Sequence, residues 1–264
     1  MKKILPRIAV FAFAGLLFSG CATNLQDETR DWTAEKFYSE AKAYQDSRVY
    51  EQSTKLFETL QSRYPYSRFA QIADLDIAYN QLRDNEQLLA VAAIERFMKG
   101  NPASPYLDYA YYLQGLAYFN DAQGFLSVIS AQDMSERDAR SMRVSFESFQ
   151  TLVKRFPDSR YVVDATQRMN YLLGAMVRHE VHIARYYYKR GAYLAAANRA
   201  KLAIETYPQA LQIEDALALM VLAYDKLDLK ELRDDARRVL DKNFPGSRAI
   251  NEDFIADRYW WAPG

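Results

Sequence analysis

The chain has 264 residues with 34 basic and 34 acidic side chains, and it is 50% apolar and 26% charged. That balance excludes a disordered chain, and the absence of a positive net charge argues against a nucleic-acid partner, which would need a basic stripe. Aromatic side chains are abundant (20 Tyr, 14 Phe, 3 Trp) and glycines are only nine, which favours helices over turn-rich β structure.

Lys2, Lys3 and Arg7 precede an apolar run from Ile8 to Phe18, too short to cross a bilayer but suited to a signal peptide. Phe18-Ser19-Gly20-Cys21 follows, similar to a bacterial lipobox, with Phe18 where leucine is usual. Residues 1–20 therefore read as a cleaved signal peptide and Cys21 as the lipidated residue; a plain secretory signal with an incidental cysteine is the alternative. Cys21 is the only cysteine, so no disulfide competes for it. Triacylation would anchor it stably. Ala22, in place of an aspartate, resembles the signal for export to the outer membrane. Loss of Lys2, Lys3 and Arg7 leaves 31 basic residues against 34 acidic. Residues 21–32 are polar and aperiodic, and read as a tether.

Beyond the tether an aromatic-Pro-x-Ser phrase recurs, at Tyr64 to Ser67, Phe156 to Ser159 and Phe244 to Ser247, with looser copies at Asn101 to Ser104 and Tyr207 to Ala210. Each ends an amphipathic stretch: proline stops the helix, and serine can cap the next. The spacing suggests the tetratricopeptide repeat, a helical hairpin of 34 residues closed by proline. The expected fold is all-α, an α-solenoid of about five such hairpins over residues 33–249. The repeats fall at about 34–67, 71–104, 108–159, 177–210 and 213–247. Small residues occupy the helix crossings, among them Ala41, Ala78, Ala90, Gly115, Ala184, Ala196 and Ala200. The third repeat carries an insert of about 18 residues, at about 119–139. A separate long helix from Tyr161 to about Arg178 is expected between repeats three and four, since Val162, Ala165, Met169, Leu172 and Met176 step by three and four. The tail, 250–264 with Trp260-Trp261, is either an end cap or a partner-binding segment.

No motif for catalysis, phosphate binding or a dinucleotide cofactor occurs. His179 and His182 lie three apart on a predicted helix without a third ligand, and read as surface residues rather than a metal site. The chain is thus expected to be neither an enzyme nor a holder of metal or cofactor. What remains is a surface. Positions 5 and 9 of each first helix line the concave face of such a solenoid, here Tyr38 and Lys42, Leu75 and Tyr79, Tyr112 and Leu116. An aromatic groove with one cation suits an extended peptide bearing aromatic side chains and a carboxylate, although any one of these tyrosines could instead pack between repeats.

Several pieces resemble the BamD family, lipoproteins of the outer-membrane β-barrel assembly machinery. They include Leu75-Asp76 with Tyr79, Asp108-Tyr109 with Tyr112, Gln123-Gly124-Phe125 and Asp164-Ala165-Thr166 with Arg168. Arg190-Gly191-Ala192 and Asn198-Arg199 match as well, and helix packing does not demand them. The resemblance implies an assembly factor on the periplasmic face of the outer membrane. Its C-terminal repeats would dock on a BamA-like barrel subunit through Arg190, Asn198 and Arg199. Its N-terminal repeats would receive unfolded outer-membrane protein precursors, and other assembly-complex lipoproteins would be partners. Arg199 could alternatively be solvated or paired within its own helix. A pilotin-like lipoprotein, also built of such repeats, is a second reading; a periplasmic enzyme is a third.

Overall fold

The computed structural model describes residues 29–130, 139–247 and 249–250, with side chains through residue 119 in the first stretch and from residue 139 in the second. Ten α-helices and no strand occur among them. They are α1 (Ala34–Asp46), α2 (Tyr50–Arg63), α3 (Arg68–Arg83), α4 (Gln87–Gly100), α5 (Leu107–Ser130), α6 (Ala139–Arg155), α7 (Val162–Lys189), α8 (Tyr193–Thr206), α9 (Ile213–Lys226) and α10 (Lys230–Asn243). Each packs on its neighbours in the chain and little else, the arrangement of a solenoid.

Two kinds of turn alternate, and each has a chemical cause. At the phrase closing a hairpin, the residue before proline leaves the helical region at φ near −130°, because the proline ring clashes with a helical predecessor. The backbone N–H three residues after that residue then donates to its carbonyl at Tyr64, Asn101, Phe156, Tyr207 and Phe244. Ser67 caps α3 by accepting from the Ala70 N–H at 3.1 Å. Ser104, Ser159 and Ser247 accept instead from the N–H two residues on.

Inside the hairpins the chain passes through one left-handed residue, at Arg48, Asn85, Gly191 or Asp228. The next N–H reaches back to the carbonyl five residues earlier, as in Val49 to Tyr44 at 2.9 Å and Ala192 to Tyr187 at 3.0 Å. This Schellman closure satisfies carbonyls that the helix end would otherwise orphan.

Phe37, Ala41, Phe57, Ala78, Ala90, Ile94, Phe97, Ala184, Ala196, Ala200 and Ala203 are fully buried. The crossings carry an added polar lock. Ser53 of α2 donates to the Ala41 carbonyl, and Ser145 of α6 donates to the Gly115 carbonyl, both at 2.8 Å. The second helix thereby holds the first at one of its small residues.

Two features differ from the sequence expectation, and a third fills in what it left open. The helix expected to end near Arg178 continues to Lys189, so α7 is one helix of 28 residues that includes the first helix of the fourth repeat. Nothing in its sequence breaks the periodicity. Part of the expected insert continues α5 in helical form as far as Ser130. The end of the expected tether is built into the fold. Trp32 packs 5.2 Å from Phe37, Tyr64 donates to its carbonyl at 2.6 Å, and Arg63 donates to the Thr29 carbonyl. Cys21 and residues 251–264 lie outside the described residues.

Candidate functional site

Three adjoining cavities run along the inner face of the first three hairpins. The first, about 670 Å³, lies between Arg68 and Phe69 of α3 and the turn from Asn101 to Tyr106. The second, about 540 Å³, shares Tyr38, Ile72, Pro105 and Tyr106 with it, and is also walled by Tyr109 and Tyr161. The third, about 490 Å³, shares Lys42 and Tyr109 with the second and opens toward Arg48, Tyr50, Tyr79 and Arg83. Shared walls make them one groove, mainly apolar and aromatic at the end where Arg68 lies over the Phe69 ring, and polar at the other, where Arg48 and Arg83 stand.

Tyr38, Lys42 and Leu75 line the second cavity and Tyr79 the third, so four of the six groove positions read from the repeat come together. Leu75 is only 2% exposed and acts as floor. Tyr112 and Leu116 line none of the three. The Tyr112 ring stacks on Tyr161 at 4.5 Å, its hydroxyl donates to Asp164 at 2.9 Å, and Leu116 packs into the core. Tyr161 is stacked in turn on Tyr109 at 5.3 Å. Tyr112 therefore joins the third hairpin to α7. Burial and the Asp164 bond raise its phenol to about 12.

Lys42 is not a free cation. Its ammonium donates to Asp76 at 3.1 Å and to the Gln45 side chain, and the Tyr38 hydroxyl donates to the other Asp76 oxygen at 3.1 Å. Behind this pair lies a buried chain of polar groups. Gln45 donates to Asn80 at 2.8 Å, and Asn80 donates to Ser53 at 2.9 Å and to Thr54 at 3.2 Å. Every link joins the first hairpin to α3, so the groove floor also fixes the register of two repeats.

Burial drives the Asp76 carboxyl above its ordinary 3.8, against Lys42, Tyr38 and Gln45, which favour the charged form. The folded state thus holds this proton more tightly than the unfolded chain does. Stability from Asp76 is fullest at and below pH 3.8 and declines as pH rises through the elevated folded value. Thermal melts of Asp76→Asn across pH 3.5 to 7 are expected to gain on the wild type as pH rises; a gap that does not move with pH would contradict this.

Sequence reasoning missed Tyr106, Phe69, Tyr109 and Arg83. Tyr106 and its neighbours stand in a turn, which numbering along helices does not place on the concave face. At the other end of the solenoid, Arg190 is exposed with its guanidinium 5.4 Å over the Tyr186 ring, and Asn198 is exposed on α8. Arg199 pairs with Glu180 of α7 at 3.0 Å, across the hairpin and not within its own helix.

The family model described as "YfiO: Outer membrane lipoprotein" matches residues 30–240. The BamD of Neisseria gonorrhoeae, described as an outer membrane protein assembly factor, is 45% identical over 267 residues, covering 99% of this chain and 98% of that protein. The chain belongs to the BamD family. More distant BamD relatives match over most of the chain as well: that of Xylella fastidiosa Temecula1 is 33% identical over 90% of this chain and 82% of its own. The BamD of Haemophilus influenzae is 30% identical over 92% of each. Among the described residues no helix of this BamD-family chain is long and apolar enough to cross a membrane, and none of them form a group of three or more metal-ligating side chains.

Proposed function

We propose that this chain is an outer-membrane protein assembly factor that works by holding other proteins, without catalysis. The observation that carries the reading is the continuous groove across the first three hairpins, aromatic at Tyr38, Tyr106 and Tyr109 and cationic at one end. An extended chain with alternating apolar side chains and a terminal carboxylate, as unfolded barrel precursors have, complements it in shape and charge. Family membership and the assembly-factor names of the BamD relatives support the setting.

In this reading Cys21 carries the lipid that ties the chain to the periplasmic face of the outer membrane. Metabolic labelling with radioactive palmitate is expected to mark the wild type and not Cys21→Ser; equal labelling of both would remove the anchor. The exposed edge of α7 and α8 at Arg190 and Asn198, with Arg199, docks on the periplasmic domain of the barrel subunit, and other assembly-complex lipoproteins bind elsewhere. The groove is tested by placing a photo-crosslinking side chain at Tyr106 or, as comparison, at Leu211, which is 83% exposed in the C-terminal half. A precursor C-terminal peptide is expected to label from position 106 and not from 211. Labelling confined to 211 would assign the peptide to the wrong half of the molecule.

A further inference from the structure

The cation that a peptide carboxylate would meet is not Lys42, because Asp76 already neutralises it at 3.1 Å. Of the other cations along the groove, Arg68 lies over the Phe69 ring and Arg160 donates to the Tyr161 hydroxyl in a cavity it shares with Asp108 and Asp158, which leaves Arg48 and Arg83, walling the polar end with Tyr50 and Tyr79. Neither makes an ion pair among the described residues. Arg83 donates through Nε to the Tyr50 hydroxyl at 3.2 Å and lies 5.9 Å from that ring's centre. That bond and the ring fix the guanidinium plane while leaving both terminal nitrogens, the fork that grips a carboxylate, without an acceptor among the described residues.

Arg48 stands at φ 62°, the left-handed position of its turn, where the equivalent residues are Asn85, Gly191 and Asp228. Asn, Asp and Gly tolerate that conformation, whereas a long side chain pays about 1 kcal/mol for it. The position brings a guanidinium to the mouth of the cavity. Asp46 also lines this end, so with Lys42 matched by Asp76 the excess is a single positive charge. That excess suits a monoanion rather than a phosphate.

We propose that Arg48 and Arg83 form a subsite for the C-terminal carboxylate of the bound peptide, and so set its direction. The terminal carboxylate lies against the two guanidinium groups, the last aromatic side chain sits among Tyr38, Tyr106 and Tyr109, and the upstream chain leaves past Phe69 and the Pro102 to Pro105 turn. This rests on the peptide-groove reading and adds polarity to it.

The test is fluorescence anisotropy of the full mature chain in detergent with a labelled ten-residue peptide of alternating apolar residues ending in Phe. One form has a free carboxylate and the other a C-terminal amide. The free acid is expected to bind about tenfold more tightly, the scale of one charge-assisted bidentate pair. Arg48→Gln with Arg83→Gln brings the acid down to the affinity of the amide, and Tyr106→Ala weakens both forms alike. Both arginines are exposed, so helical melting curves of the double variant check that the fold is intact. Equal binding of acid and amide, or a preference that survives in the double arginine variant, overturns the subsite while leaving the groove standing. Failure of both peptides to bind sinks the groove itself.

Discussion

Gly115→Ala is expected to melt about 5 °C below the wild type, a loss of about 2 kcal/mol for a chain of this size. A Cβ built on Gly115 would lie 2.3 Å from Cε1 of Phe149, well inside van der Waals contact. Phe149 is fully buried and cannot swing away, since Tyr112 and Phe119 lie against it at 6.1 and 6.5 Å. Ser145 also holds the Gly115 carbonyl at 2.8 Å, so α5 cannot retreat without breaking that bond. Overpacking of this kind costs up to about 3 kcal/mol, and the helix-favouring methyl returns about 1. Gly100 supplies the contrast: a Cβ there meets nothing within 4 Å, at the last residue of α4. Gly100→Ala should gain about 0.5 kcal/mol by restricting the unfolded chain. Urea denaturation of the two variants measures both signs, and a Gly115→Ala protein as stable as the wild type would refute the packing argument.

Arg199→Glu is expected to abolish co-purification with the barrel subunit and to lower stability by about 2 kcal/mol. The second effect arises within the chain. Glu180 is only 14% exposed and Arg199 is 40% exposed, so reversing one charge leaves two carboxylates facing each other in a partly desolvated site. The variant alone therefore cannot separate a broken fold from a broken interface. The swap, Arg199→Glu with Glu180→Arg, can. It restores the internal pair and the melting temperature while keeping the charge on α8 inverted. Continued loss of the complex in the swapped protein assigns Arg199 to the partner; recovery of the complex assigns it to the hairpin.

The solenoid was legible because its inter-hairpin turns are written in local chemistry. Proline restricts the residue before it wherever it stands, so Tyr64, Phe156 and Phe244 each predict a helix end. The intra-hairpin turns were not legible. Arg48 occupies a left-handed position that sequence rules reserve mainly for glycine, asparagine and aspartate, and the closing hydrogen bonds of the folded chain hold it there. Periodicity likewise carries no mark where one functional segment of a helix ends and another begins, which is why α7 was divided.

Of the groove, Tyr38, Lys42, Leu75 and Tyr79 follow from repeat position. Lys42 finds its partner Asp76 34 residues away, on the next first helix but at a position that repeat numbering treats as unremarked. Tyr112 was misplaced for a related reason: its neighbour Tyr161 comes from the far side of the insert, at a separation that repeat arithmetic does not fix.

The unbroken course of α7 joins the two halves mechanically. A helix of 28 residues is about 42 Å long at 1.5 Å per residue. Its first turns are gripped by Tyr112 through Asp164 and by Phe119 under Arg168. Its last turns are gripped by Arg199 through Glu180 and by Asp215 through Arg185. Two short helices with a turn between them would absorb a small rotation at that turn. A single rod has no such joint, so a tilt imposed at its C-terminal end is delivered, as lever motion, to the hairpin that walls the groove.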